Sequence, residues 1–234
     1  MRIVGLVATS LIDWDGKIAS VIFIGGCNFA CPFCHNSQIA ADDRSLREVT
    51  WSEIASSLET KLGWLDAVVV SGGEPLMHPE LFELCHSIRQ MGLKIKIDTN
   101  GSFPYALKRL MNLKLVDFVA MDVKTRLDRR YQHAAGRMVD LAPIRRTIRL
   151  LLQSEVDYEF RTTLVPGIVN LDDILAIGKE LEGARRLVLQ QFVPATARSP
   201  SLRTVKPYSH HEAAAMAEQL RPLIKEVKLR GNFV

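Results

Sequence analysis

A chain of 234 residues, 47% hydrophobic and 24% charged, is long enough to bury one sizeable core and too apolar for a disordered or fibrous protein. Its net charge of +4 is mild, with basic and acidic residues alternating through most of the chain, and gives no support to nucleic-acid binding. No apolar run reaches the roughly 18 residues of a membrane span, and the first residues lack the pattern of a secretory signal, so the expectation is a single domain over 1–234, cytoplasmic and away from membranes.

Taken in chain order, apolar β-branched runs alternate with segments of helical period. A strand is predicted over 18–24, then a helix over 51–62, opened by Thr50 or Ser52 with Glu53. Strand 67–71 and helix 79–91 follow, with Pro79 in the first turn, then strand 93–98 and helix 105–113. The series continues with strand 116–122, helix 141–153, strand 158–165, helix 172–181 opened by Asp172 and Asp173, strand 187–193 and helix 210–227. Six such units predict an α/β protein whose parallel sheet is wrapped by crossover helices. The segment 194–207 is rich in Pro, Ser and Thr and reads as a loop that moves or that orders on partner binding. Lys124, Arg126, Arg129 and Arg130, with Arg145, Arg146 and Arg149 on the next helix, read as a solvated face or as a docking surface for an acidic partner.

In sheets of this class, function collects at the carboxyl ends of the strands. There the sequence places Gly25-Gly26-Cys27, Gly72-Gly73-Glu74-Pro75, Asp98-Thr99-Asn100-Gly101, Asp122-Val123-Lys124 and Pro166-Gly167. Asn100-Gly101 also reads as a plain turn, and Asp122 with Lys124 as a structural ion pair.

Three of the four cysteines fall within eight residues, which excludes a disulfide framework and points to metal or redox chemistry. Spacings of four and three in Cys27, Cys31 and Cys34 let one loop wrap three corners of a cubane iron–sulfur cluster. Zinc is the alternative; a structural zinc closes four positions, and His35 is the candidate for the fourth. Cys85 stands apart on a helix as a buried apolar thiol.

The segment Cys27-Asn28-Phe29-Ala30-Cys31-Pro32-Phe33-Cys34, with an aromatic before the third cysteine, resembles the signature of the radical S-adenosylmethionine (SAM) superfamily. The resemblance extends to Gly72-Gly73-Glu74-Pro75 and implies a partial (β/α)6 TIM-like barrel. It implies a [4Fe-4S] cluster held by Cys27, Cys31 and Cys34, with the open iron chelated by the SAM methionine. Gly72, Gly73 and Glu74 would then meet the methionine ammonium through backbone carbonyl and carboxylate acceptors. Electron transfer from the cluster would give a 5′-deoxyadenosyl radical that abstracts hydrogen, chemistry that belongs to the cofactor.

Within that superfamily, the His35-Asn36 pair after the third cysteine looks like the glycyl-radical-enzyme activases, a group that includes the pyruvate formate-lyase activating enzymes. Ser10-x-x-Asp13-x-x-Gly16-Lys17 resembles the lead-in of the short activases of anaerobic ribonucleotide reductase, with Asp15 where that group has proline. Asp98-Thr99-Asn100-Gly101, Asp122-x-Lys124 and Arg161 with Val165-Pro166-Gly167 resemble the activase strand ends. The resemblance thus implies cofactor contacts from Phe33, Asn36, Gly72, Gly73, Glu74, Asp98, Asn100, Asp122, Lys124 and Arg161, and a monovalent cation held in part by Asp98. Only Ser37 to Asp66 separates the motif from the second strand, so no second cluster is expected and a flavodoxin or ferredoxin-like donor must supply the electron. The implied substrate is a glycine in a partner glycyl-radical enzyme. A small-molecule enzyme of the 7-carboxy-7-deazaguanine synthase type is the alternative, though Asp-Thr is typical there in place of His35-Asn36. A nonenzymatic iron or zinc regulator is the third reading.

Overall fold

The computed structural model describes residues 1–233. Its strands are β1 (Ile3–Ser10), β2 (Ala19–Ile24), β3 (Ala67–Gly72), β4 (Lys94–Thr99), β5 (Phe118–Asp122), β6 (Asp157–Leu164), β7 (Leu187–Gln191) and β8 (Val227–Arg230), in one sheet of that order. The helices are α1 (Ser37–Ala40), α2 (Trp51–Glu59), α3 (Leu81–Gln90), α4 (Pro104–Asn112), α5 (Tyr131–Ala135), α6 (Leu141–Leu152), α7 (Leu171–Glu180) and α8 (His210–Leu220). By contacts the chain divides into two compact units. The first holds residues 1–28, 38–99 and 103–120, and the second 29–37, 100–102 and 121–233.

In the first unit β1 runs antiparallel to β2, and β2, β3 and β4 are mutually parallel. Val68, Val69 and Val70 of β3 and Ile22 and Ile24 of β2 are fully buried, which is why these strands read as unbroken apolar runs. Ala19, Val21, Ala67 and Val69 form one core cluster with Trp14, Phe118 and Ala120, the two rings lying 5.5 Å apart. The sequence pattern does not reveal β1. Its central residues are half-buried or exposed, and Gly5 interrupts it. That glycine leaves room for Phe23, since a Cβ there would stand 3.3 Å from the Phe23 ring.

In the second unit β6, β7 and β8 are parallel. Phe160, Leu164, Leu187 and Leu189 are buried, as are Ile174 and Ile177 of α7 and Leu220 of α8. Here the helix expected over 210–227 is corrected: α8 stops at Leu220, and Val227–Arg230 is a strand. Pro222 lies just past the helix end and has no N–H to continue the ladder. Capping boxes start α2 (Thr50 with Glu53), α7 (Asn170 with Asp173) and α8 (Ser209 with Glu212), each contributing about 1 kcal/mol. Among the described residues, no helix is long and apolar enough to cross a membrane.

Helices α7 and α8 approach closely at Gly178, where a Cβ would come within 2.6 Å of Leu220 and 3.0 Å of Leu223. Gly178→Val should lower the unfolding free energy by about 1–3 kcal/mol in urea titration. Gly63→Ala, at a position with open space around it, should stay within about 0.5 kcal/mol of the parent.

Candidate active site

In the first unit the chain leaves β2 through Gly25 and Gly26 into Cys27, which is half-buried. The last rung of the β2–β3 ladder pairs Ile24 with Gly72. Beyond it the Gly73 N–H donates to Ile24 O (2.8 Å) and the Glu74 N–H to Gly26 O (2.9 Å). A Cβ on Gly73 would overlap the Gly26 carbonyl, and one on Gly72 would sit 2.5 Å from the Ile24 backbone. Gly26 (φ 89°) and Gly72 (φ 113°) also hold left-handed conformations that favour glycine. His78 bonds Gly25 O through Nε2 (3.0 Å) and so buttresses the approach to Cys27.

Glu74 is fully buried, and its Oε1 accepts from Thr99 Oγ1 (2.8 Å) and the Leu76 N–H (3.2 Å). Asp98, at the end of β4, accepts from Ser71 Oγ (3.0 Å) and pairs with Lys96 Nζ (3.4 Å). The Lys96 ammonium is almost wholly buried, lies over the Phe118 ring and donates to Asp13 O. Lys96, Ser71, Thr99 and His78 were not singled out from sequence. The signal available for Lys96 was a lysine alternating with isoleucine in Lys94-Ile95-Lys96-Ile97, which reads as a solvated face until its ion pair is seen.

In the second unit Cys31 is buried and Cys34 half-buried, with the Cys34 N–H on Cys31 O (3.1 Å). Phe33 is buried, Asn36 half-buried and His35 exposed. Helix α5, which the sequence reading lacked, packs directly on this loop. The Ala30 N–H donates to Ala135 O (2.8 Å), Phe29 meets Tyr131 edge-on at 6.3 Å, and Gly136 (φ 66°) caps the helix where a Cβ would overlap Ala30 O.

Behind the loop, Asp122 accepts from Arg161 Nε (2.8 Å) and Lys124 Nζ (2.9 Å). Burial works to raise the Asp122 pKa, but the two cations outweigh it and hold the carboxyl well below the usual range. Burial works against the Lys124 charge, and Asp122 outweighs that, keeping Lys124 firmly protonated. Burial raises the Cys31 thiol, with Lys124 pulling the other way. Burial also raises the Tyr131 phenol, whose oxygen accepts the Lys124 N–H at 3.4 Å. Asp122 and Lys124 are thus an ion pair, as the structural reading had it, enlarged by Arg161 to one carboxylate between two cations. Asn100 Oδ1 takes the Ser102 N–H (2.9 Å) in a local turn, and Gly101 (φ 80°) follows it. Cys85 lies buried in α3, its thiol pushed up to about 12 by burial.

Residues 21–181 match the family profile of the Radical SAM superfamily. A Methanocaldococcus jannaschii protein, described as a glycyl-radical enzyme activating enzyme, is 32% identical over 98% of this chain and 97% of its own. The chain belongs to the radical SAM superfamily. Similarity to the 7-carboxy-7-deazaguanine synthase of Synechocystis is 32% over 39% of this chain and 42% of that one. Streptococcus suis SuiB, in its complex with the precursor peptide SuiA, superposes with a TM-score of 0.68 at 16% identity, covering 90% of this chain and 48% of SuiB. This likeness establishes the fold: an α/β partial barrel of the radical SAM type.

This radical SAM chain is an enzyme, and the cofactors of its superfamily are a [4Fe-4S] cluster and SAM. The donor set fits them. Cys27, Cys31 and Cys34 form no disulfide, their thiolates are soft ligands suited to iron–sulfur clusters, and three leave one iron for the cofactor. The Gly72–Glu74 turn bears no side chain until Glu74, so its backbone can be approached closely. Among the described residues, no three His, Cys, Asp or Glu are arranged to hold a single metal ion, a geometry a cubane does not require because each thiolate meets a different iron. Gly136→Val should force Ala30 and the cysteine loop away from α5. Iron bound after anaerobic reconstitution should fall severalfold, with far-UV circular dichroism retained.

Proposed function

We propose that this enzyme is an activase that cleaves SAM reductively and removes a hydrogen from a glycine of a partner glycyl-radical enzyme. The observation that carries the proposal is the Gly72–Glu74 turn, hydrogen-bonded to the backbone just before Cys27. It sets peptide acceptors beside the first cluster thiol, as a methionine ammonium chelated to an open iron requires. The near-full-length similarity to the M. jannaschii activating enzyme supports the same reading. Both compact units belong, in this proposal, to one radical SAM domain, since the family profile runs through residues of each.

Cys27, Cys31 and Cys34 hold the cluster, and Phe33, Asn36, Gly72, Gly73, Glu74, Asp98, Asn100, Asp122, Lys124 and Arg161 make up the SAM site. When bound, cluster and SAM together supply the hydrogen-abstracting 5′-deoxyadenosyl radical. The chain's own contributions are binding and orientation. Glu74 Oε1 is already engaged by Thr99 and Leu76, so the Glu74 carboxylate fixes the turn while the peptide carbonyls face the ammonium. Asp122 holds Lys124 and Arg161 as fixed cations for a carboxylate. Asp98, braced by Ser71 and Lys96, addresses the ribose side and a monovalent cation.

We assign anaerobic ribonucleotide reductase as the target, because the Ser10-to-Lys17 lead-in and the short stretch between the cysteine motif and β3 match the single-cluster activases of that enzyme. A flavodoxin or ferredoxin-like protein supplies the electron. The 7-carboxy-7-deazaguanine synthase reading has its support in the Synechocystis similarity, which covers 39% of the chain.

Anaerobically reconstituted protein should give a reduced [4Fe-4S] paramagnetic resonance signal that changes on adding SAM. With an anaerobic reductase present, a glycyl-radical doublet should follow; no doublet with SAM cleavage intact would remove the activase reading. Cys31→Ala should abolish cluster and cleavage together. Glu74→Ala should keep the cluster and weaken SAM binding about tenfold, because the turn that presents the peptide carbonyls loses the carboxylate that ties it to Thr99.

A further inference from the structure

The proposed reaction consumes one electron per SAM, and this chain carries one cysteine motif plus a single further thiol, Cys85, that is buried and protonated. The electron therefore enters from another molecule, and two basic regions compete to receive its carrier. In the first, each of three arginines meets a carboxylate: Arg126 with Asp128 (2.8 Å), Arg130 with Asp173 (3.1 Å) and Arg145 with Glu180 (3.0 Å). With Lys124 on Asp122, four of the seven cations named in that region thus have a carboxylate partner within the fold.

The second is the segment from Phe192 to His211, which follows β7 and contains no Asp or Glu while carrying Arg198, Arg203 and Lys206. Its arginines are held by backbone carbonyls, Arg198 Nη2 on Ser37 O (3.3 Å) and Arg203 Nε on Ala197 O (3.0 Å). A carbonyl fixes a guanidinium without cancelling its charge. Glu212, the first acid beyond the segment, feels Lys206 and His211, but its carboxylate is bound by the Ser209 N–H and hydroxyl. Arg203 and Lys206 are exposed.

The segment is also tied to the cysteine loop. The Ser199 N–H donates to Pro32 O (2.8 Å), between Cys31 and Cys34, and Arg198 reaches Ser37, three residues past Cys34. We propose that the Phe192–His211 strap is the docking surface for an acidic one-electron donor protein. This rests on the radical SAM activity proposed above. The donor leaves oxidised by one electron, and no atom is transferred. Uncancelled charge steers the encounter across about 8 Å at physiological salt, and the Pro32 bond makes the docked face continuous with the loop bearing two of the cluster thiols.

The test uses the cluster-loaded full chain and follows 5′-deoxyadenosine formation driven either by a reduced acidic flavodoxin or by photoreduced deazaflavin, a small reductant that needs no docking surface. At subsaturating flavodoxin, Arg203→Glu should lower the ratio of flavodoxin-driven to deazaflavin-driven rates about tenfold. Arg149→Glu, at an exposed position of α6, should leave the ratio at the parent value. An unchanged ratio in Arg203→Glu, or an equal fall in Arg149→Glu, would overturn the docking assignment. If Arg203→Glu does not fold, the parent protein decides: its flavodoxin-driven rate should fall as salt rises from about 50 to 300 mM, and a flat response overturns the proposal. Absence of product in the deazaflavin arm would instead overturn the activity on which the docking rests.

Discussion

The end of the first unit that carries Cys27 and the Gly72–Glu74 turn depends on the parallel pairing of β2 with β3 and on its continuation past the end of the sheet. After the Ile24–Gly72 rung, two more backbone hydrogen bonds tie Gly73 and Glu74 to the chain approaching Cys27. They form only because Gly73 has no Cβ to meet the Gly26 carbonyl. Glu74 then reaches Thr99 at the end of β4, so one buried carboxylate links the turn after β3 to the next strand. A larger residue at Gly73 would break the pairing, and with it the fixed relation between the turn and the first thiol.

The second unit is governed by charge. Asp122 faces two cations, so the cluster of Asp122, Lys124 and Arg161 keeps a net positive charge behind Cys31. Burial alone would hold the Cys31 proton, and Lys124 opposes it. Metal ligation requires the thiolate, so a fixed cation reduces the work of losing that proton. Buried ion pairs are poor sources of net stability, because desolvation offsets their attraction. Their value here lies in fixing where the positive charge stands.

Strands β2 to β7, the cysteine motif and the glycine turn were legible in the sequence because each rests on a local signal: an unbroken apolar run, thiol spacing, or Gly-Gly before an acid. The misses are of another kind. Strand β1 is half-exposed and interrupted by Gly5, which lies opposite Phe23, so its own pattern gives no strand signal. Helix α5 is too short to show a period, and its role appears only where Gly136 meets Ala30. The sequence also showed Lys124, Arg126, Arg129 and Arg130, with Arg145, Arg146 and Arg149 on the next helix, as basic runs. Asp173 and Glu180 lie far along the chain from Arg130 and Arg145, and their cancelling contacts are visible only in the fold.

The same distinction explains the Ser10-to-Lys17 lead-in, which carries family likeness but no reactive group. Ser10 Oγ accepts the N–H groups of Ile12 and Asp13 and donates to Asp13 Oδ2 (2.5 Å), while Gly16 (φ 75°) lets Lys17 N–H close onto Trp14 O (3.0 Å). The turn so fixed offers the Asp13 carbonyl to Lys96, whose ammonium also pairs with Asp98. Without that carbonyl the nearly buried Lys96 ammonium would keep Asp98 but lose a hydrogen bond to a charged group, about 1.5–3 kcal/mol. The lead-in is therefore a support for the β4 carboxylate, acting from the hairpin that joins β1 to β2.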